Sequence, residues 1–481
     1  CVAFSTTFEN DYLNMLRILE LSGIPVQARD RGPGDPFVTM GGVCAWSNPE
    51  PLAAFVDWFF LGEGEESSHE VFELWMRIRE AERDPEAARA EFLRALPGIE
   101  GIYVPRFYDV KYQEDGTVAD VIPYDGAPLP VRKRRLARTD DYDTVSMVRT
   151  VNTEFGEMAL LEVGKGCGRG CRFCMEGEIY RPVRHRHIDA ILRAADTALQ
   201  RGKRIGLVGA CVSDYPWIDE LMAALRARGV EVSLSSVRAD SLSPGLVQGL
   251  VESGSRTLTI APEAGTDRLR TVIHKSLTDQ RIFEAVDLIA DSGVPRVKMY
   301  FMIGQPTETA EDIAGIIHLA KAVRHRIQQK RRDPKSLAEL TVGVSCFVPK
   351  PWTAFQWCAM AEVRALEEKI HHLQRELRRV GIRFTHDVPK WAFLQAVLAR
   401  GDRHVGDLLS LALTHRGNWK RVFREWPRNP DFYACRERPL TERFPWDHFE
   451  VGTKRERLEI EYQRAMGLLP ERPVKWKASL A

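Results

Sequence analysis

Apolar positions along this chain recur with two different periods, and the changes between them mark four stretches. In residues 1–100, short apolar runs alternate with helical spacing. Val2-Ala3-Phe4 predicts a strand, and Tyr12 to Leu21 predicts a helix ended by Gly23-Ile24-Pro25. Phe37-Val38-Thr39-Met40 runs into Gly41-Gly42, and Phe55 to Leu61 runs into Gly62-Glu63-Gly64-Glu65. Strands alternating with helices predict a parallel sheet whose ligands sit at the C-terminal strand ends. Taken alone, these glycines are accounted for by turn geometry. Residues 101–153 read as a connector: a hairpin between Tyr103 and Tyr124 turning at Glu114-Asp115-Gly116, then Pro123, Pro128 and Pro130 before the basic run Arg132-Lys133-Arg134-Arg135. A solvated loop is the reading favoured for that run, with phosphate contact as the alternative.

Residues 154–385 repeat a strand-then-helix rhythm. Strands are expected at about Ala159–Val163, Arg204–Val208, Glu231–Ser235, Thr257–Ile260, Val297–Ile303 and Leu340–Phe347. Six such units predict an α/β fold, a parallel sheet curled into a partial (β/α)6 TIM-type barrel with its chemistry at the C-terminal strand ends. Residues 386–481 are expected to be mostly helical, an appendage packed on the barrel and broken by Pro445.

Composition narrows the class without choosing a function. The 481 residues are 44% hydrophobic and 28% charged, an ordinary globular balance with material for more than one core. Lys plus Arg number 68 and Asp plus Glu 67, so charge gives no global argument for nucleic acid or an anionic membrane. No apolar run approaches the ~20 residues of a membrane span. Cys1-Val2-Ala3-Phe4-Ser5 has no basic n-region, so no signal peptide is expected, and the chain reads as starting partway through a longer product. Of nine cysteines, six are scattered and three are clustered, which points to a metal site in a reducing compartment and to the cytoplasm.

The clustered three lie in Gly166-Cys167-Gly168-Arg169-Gly170-Cys171-Arg172-Phe173-Cys174, just after the first expected barrel strand. Thiolates are soft ligands that suit iron-sulfur clusters and zinc. A short glycine-rich loop lets three of them reach three corners of one cubane, leaving one iron without a protein ligand. Arg169 and Arg172 add charge that favours thiolate. The competing reading is zinc, with His185 or His187 as fourth ligand.

Cys-x3-Cys-x2-Cys with an aromatic before the last Cys resembles the signature of the radical S-adenosylmethionine (SAM) superfamily. That resemblance implies a 4Fe-4S cluster on Cys167, Cys171 and Cys174, SAM chelated at the open iron, reductive cleavage to a 5′-deoxyadenosyl radical, and a flavodoxin- or ferredoxin-type electron donor. It implies that Phe173 lies beside the adenine. It assigns Gly209-Ala210 to the position of a Gly-Gly-Glu-like turn that would hold the SAM amino group through carbonyls. Ser236 and Arg238 would meet polar SAM atoms and the carboxylate, with Arg268, Arg270 or Lys275 as other carboxylate partners. Glu263 would contact the ribose, Ile303 and Gly304 the adenine side, and Val348 the adenine edge.

The stretches Ser236–Leu242, Ala261–Gly265, Lys298–Gly304, Phe347–Pro351, Arg400–Arg403 and Phe444–Asp447 resemble one subgroup of that superfamily, and Gly41–Cys44 with Gly62–Glu65 extend the likeness to the start. In that subgroup the N-terminal domain is similar to cobalamin-binding, Rossmann-like domains. The Asp-x-His-x-x-Gly motif of histidine-ligated cobalamin is absent from residues 1–100, so a vestigial scaffold is favoured over bound cobalamin. The subgroup defines no substrate. Two further readings stay open: cobalamin-dependent methylation, and a non-catalytic metal-binding module. Cys211, Cys346 and Cys358 are expected near the active side, where packing is their commonest use. Arg400-Gly401-Asp402-Arg403-His404 is either a substrate contact or an internal ion network. Trp391, Trp419, Trp426 and Trp446 are expected in the core, a cheaper account than nucleic acid binding.

Overall fold

The computed structural model describes all residues except 147, 149, 154, 201, 331–338 and 472–481. The chain forms two compact units, each built from separated stretches. The first comprises Cys1–Ala137, Val348–Met360 and Lys390–Leu458; the second comprises Arg138–Phe347, Ala361–Pro389 and Glu459–Ala481.

The first unit contains a four-stranded sheet, β1 (Val2–Ser5), β2 (Val38–Gly41), β3 (Trp58–Phe60) and β4 (Ile102–Tyr103), in that order. The first three are parallel and β4 is antiparallel at the edge. The expected hairpin forms from β5 (Tyr108–Tyr112) and β6 (Val118–Pro123). Residues 390–458, expected as an appendage on the barrel, instead share a core with the N-terminal sheet. Asn48, buried between the two stretches, donates to the carbonyls of Ala399 (3.1 Å) and Gly401 (2.7 Å), satisfying a polar group that would otherwise cost several kcal/mol to bury. Within the basic run, Lys133 is buried and Arg134 bonds Glu66 and Glu70 at 2.7 Å each, whereas Arg132 and Arg135 are exposed as a solvated loop would have them. Arg134 also accepts from Glu63 N and donates its own N–H to Leu61 O, closing the end of β3 with the chain's own backbone.

The second unit carries the barrel strands β7 (Ala159–Glu162), β8 (Arg204–Val208), β9 (Glu231–Ser233), β10 (Thr257–Glu263), β11 (Arg296–Ile303), β12 (Glu339–Cys346) and β13 (Arg383–His386). All pair in parallel, β7–β8–β9 in one arc and β10–β11–β12–β13 in the other, joined by a bridge between Val237 and Ile260. No pairing links β13 to β7 among the described residues, so the barrel is partial, with β13 added to the six expected strands. Helices with one apolar stripe separate the strands. Ile188–Leu199 buries Ala190, Ile191, Ala194, Ala195 and Ala198, and Pro244–Glu252 starts where Ser243 accepts from Leu246 N ahead of Pro244. β10 runs three residues beyond the expected Ile260 because a register shift between Ile260 and Glu263 carries it on. There Glu263 adopts φ +68°, a conformation that costs a non-glycine residue free energy and is concentrated at functional sites.

Candidate active site

The cysteine loop leaves the C-terminal end of β7. Gly166 has φ +81°, and a Cβ there would lie 2.7 Å from Tyr180 O, so only glycine lets the loop fold back against the Tyr180–Pro182 turn. Cys167, Cys171 and Cys174 are all half-buried, and Cys174 N bonds Cys171 O. Burial raises the Cys171 thiol and pushes that of Cys174 up to about 12, whereas a hydrogen bond from Cys211 holds Cys167 down at about 6.

A charged brace surrounds the loop. Arg169, between the first two cysteines, forks onto Asp214, just beyond β8, with bonds of 2.6 and 2.5 Å, and reaches Asp240 at 3.1 Å. Burial pushes the Asp214 carboxyl up, and Arg169 more than reverses this, leaving it below its ordinary value. Arg238 holds the same Asp240 at 2.9 and 3.0 Å, donates to Lys275 O, and points Nη1 at Cys171 Sγ from 3.9 Å. Burial opposes its charge, and Asp240 outweighs burial. Lys275 is buried and pairs with Glu263 at 3.1 Å. On the other side, the fully buried Arg172 bonds the carbonyls of Thr271 and Val272 and pairs with Glu461 (3.0 Å) and Glu471 (2.6 Å), while His274 Nδ1 lies 3.1 Å from Gly170 O.

The structure thus gathers the three cysteines, Arg238 and Glu263 around one loop. Gly209 and Ser236 are exposed and Ala210 half-exposed at neighbouring strand ends; Phe173 is half-buried on the loop itself. Ile303 is fully buried, and Gly304 N donates to the Glu308 carboxylate at 3.0 Å. Val348 is half-buried in the first unit. Arg270 bonds Leu277 O, Ala264 O, Asp267 and Asp279, and the half-exposed Arg268 bonds Thr307 and Asp312. Sequence reasoning did not single out Asp214, Asp240 or Glu461. Asp240 lay in view two residues after Arg238; the others become partners only through the fold.

Among the described residues no three His, Cys, Asp or Glu side chains stand close enough to hold one metal ion, and neither His185 nor His187 completes such a group. A zinc ion draws its thiolates to ~2.3 Å, whereas a four-iron cubane accepts thiolates spread around a larger body. His69 is the one histidine before residue 105, on an exposed stretch of the helix Gly64–Ala81, and the first unit also holds His404, His415 and the buried His448.

A partial parallel barrel with a three-thiol loop at its C-terminal strand ends defines an α/β iron-sulfur enzyme. The chain belongs to the radical SAM superfamily. Residues 161–320 match the model described as "Radical SAM superfamily", and residues 1–105 match "Radical SAM proteins, N-terminal". An uncharacterized protein of Methanocaldococcus jannaschii is 33% identical over 408 residues, 84% of this chain and 78% of that protein. A tRNA-2-methylthio-N(6)-dimethylallyladenosine synthase of a Ruegeria species is 27% identical over 190 residues, 35% of this chain and 42% of that enzyme, so the chain matches under half of that relative's length. Among solved structures, the cobalamin-dependent SAM radical enzyme OxsB with aqua-cobalamin bound is similar with TM-score 0.45 and 14% identity, covering 85% of this chain and 57% of that one. The radical SAM methyltransferase TsrM from Kitasatospora setae follows with TM-score 0.42 and 14% identity, covering 69% and 58%. The protein is an enzyme whose cofactors are a 4Fe-4S cluster and SAM. No helix among the described residues is long and apolar enough to cross a membrane.

With Cys171 as a cluster ligand, Arg238 would stand against the ligating sulfur, its Nη1 3.9 Å from Sγ. A hydrogen bond to a ligating sulfur and a nearby positive charge both favour the reduced, more anionic cluster. Arg238→Gln is therefore expected to move the midpoint potential to a more negative value in an EPR-monitored titration, and an unmoved potential would show that the guanidinium is only a strut.

Proposed function

We propose that this chain generates a radical from SAM to modify a substrate held in the half-barrel, by methyl or methylthio transfer, C–C or C–S bond formation, or rearrangement. When bound, the reduced cluster supplies the electron that splits SAM into methionine and a hydrogen-abstracting 5′-deoxyadenosyl radical. The chain's own residues position and shield. Cys167, Cys171 and Cys174 hold three irons. Arg238 and Lys275 form a cationic wall for the SAM carboxylate, with Ser236 beside it, and the carbonyls of Gly209 and Ala210 take its ammonium. Glu263, freed from Lys275, takes the ribose hydroxyls. Phe173, Ile303 and Gly304 form the adenine side. The electron comes from a flavodoxin- or ferredoxin-type donor in a reducing, cytoplasmic compartment.

The observation that carries this reading is the cysteine loop itself, three thiols on one turn locked at the strand ends by the Arg169–Asp214 fork. The test is anaerobic reconstitution, then dithionite and SAM, scoring 5′-deoxyadenosine against Cys171→Ala. Formation by the wild type and at least ~100-fold less by the variant is expected, since loss of one ligand removes the catalyst rather than weakening it. No product from a wild type with a verified cluster counts against the reading. Cobalamin-dependent methylation is the alternative, and stoichiometric uptake of hydroxocobalamin by the same preparation would select it.

A further inference from the structure

The two faces of the second unit's sheet differ in character. Val297, Met299 and Phe301 on β11, and Leu340, Val342 and Val344 on β12, are at most 3% exposed and face the covering helices. Of the alternate positions, Tyr300 is exposed and Lys298 and Thr341 are polar and partly exposed, while Gly343 and Met302 are buried. Paired residues of parallel strands share a face, so the register sets Lys298, Thr341 and Arg383 on one rung and Tyr300, Gly343 and Thr385 on the next.

Tyr300 is 38% exposed in the middle of a central strand. A Cβ at Gly343 would sit 2.8 Å from its ring, so the ring lies against the sheet there, with Lys298 Nζ 4.4 Å from its centroid. Lys298 Nζ donates to Tyr300 Oη at 2.6 Å, leaving the phenol proton to donate outward. Neither Lys298 nor Arg383 is paired with a carboxylate among the described residues. One rung below, Arg296 is neutralised by Glu339 at 2.6 Å. The two cations flank the Thr341 hydroxyl, roughly two strand spacings or ~10 Å apart.

We infer that this rung binds an oxyanion, a carboxylate or phosphate group, of the substrate. The inference rests on the reading above that substrate enters the half-barrel. An ammonium, a guanidinium and hydroxyls on one open concave face form a donor set that only a charged acceptor satisfies fully. Lys298 and Tyr300 are then positioning residues that fix one end of the substrate.

The test is calorimetric titration of cluster-reconstituted, SAM-loaded protein with inorganic phosphate and, separately, succinate. Saturable binding of at least one anion is expected, the preferred one naming the group. Lys298→Gln and Arg383→Gln should each weaken it about tenfold, Lys298→Arg should retain it, and Arg296→Gln should leave it unchanged. No saturable binding of either anion, or equal weakening by Arg296→Gln, overturns the inference. Wild-type 5′-deoxyadenosine formation without added anion is scored separately. Its absence beside intact anion binding would count against the radical reading and leave the oxyanion site standing.

Discussion

Arg172→Met is expected to empty the cluster site while leaving the rest of the protein folded. The side chain is 1% exposed and holds the loop from behind, through two carbonyls of the 271–272 turn and through Glu461 and Glu471 near the end of the chain. Methionine matches much of its volume but takes from the buried Glu461 carboxylate its Arg172 partner, leaving it Arg464 at 2.7 Å. Removing one partner of a buried pair costs on the order of 3–5 kcal/mol. Placed on the loop rather than on the whole fold, ~3 kcal/mol lowers the fraction of loops in the ligating arrangement about a hundredfold. Iron and labile sulfide per chain should fall accordingly, with far-ultraviolet circular dichroism unchanged. Glu471 is one-third exposed, so Glu471→Gln should do much less than Glu461→Gln. Pairing Arg172→Met with Glu461→Leu should recover part of the cluster, because the buried carboxylate goes with its cation and the partly exposed Arg464 gives up its 2.7 Å partner at smaller cost. Full cluster content in Arg172→Met would mean that the glycine turns alone shape the loop.

The parts of this site that were readable in the sequence are those set by neighbours along the chain. Cys167, Cys171 and Cys174 carry their chemistry in their spacing, and Arg238 and Glu263 follow strand ends that hydrophobic periodicity locates. The bracing charges are different. Arg169 and Arg172 read alike, as cations beside thiolates, but the fold turns one to Asp214 and the other to Glu461, 45 and 289 residues away. No local pattern encodes such partners. The strand β13 was missed because Arg383-Phe384-Thr385-His386 lies at a sheet edge and is polar on its open face, which leaves little hydrophobic signal. Of the four tryptophans expected in the core, Trp426 and Trp446 are buried and Trp419 is half-buried, but Trp391 is 51% exposed. Arg400–His404, equally readable as a substrate contact, turned out to be an internal ion network.

That network carries the second large effect. Glu50 is 2% exposed; Arg403 Nε binds it at 2.7 Å, the Tyr103 hydroxyl donates to it, and His448 lies 3.5 Å away. Arg403 is anchored in turn by the carbonyls of Tyr108 (2.8 Å) and Pro105 (3.1 Å). Burial pushes the Glu50 carboxyl up, but the Arg403 charge and the His448 and Tyr103 bonds pull it further down, to about 2. A carboxyl depressed on folding stabilises the folded state above its unfolded pKa of ~4.3 and loses that contribution as pH falls through its folded value. The shift of roughly two units is worth on the order of 3 kcal/mol at neutral pH. Arg403→Met should therefore lower the denaturant midpoint of the first unit strongly at pH 7, by about 3–5 kcal/mol in stability, because it leaves Glu50 charged and buried. The gap between wild type and variant should stay flat above about pH 5 and narrow between about pH 4 and 2, where the wild type surrenders the same interaction. Glu50→Gln should cost less at pH 7 and show no extra acid sensitivity over that window. A gap that stays constant down to pH 2 would show that Arg403 acts through its carbonyl bonds alone.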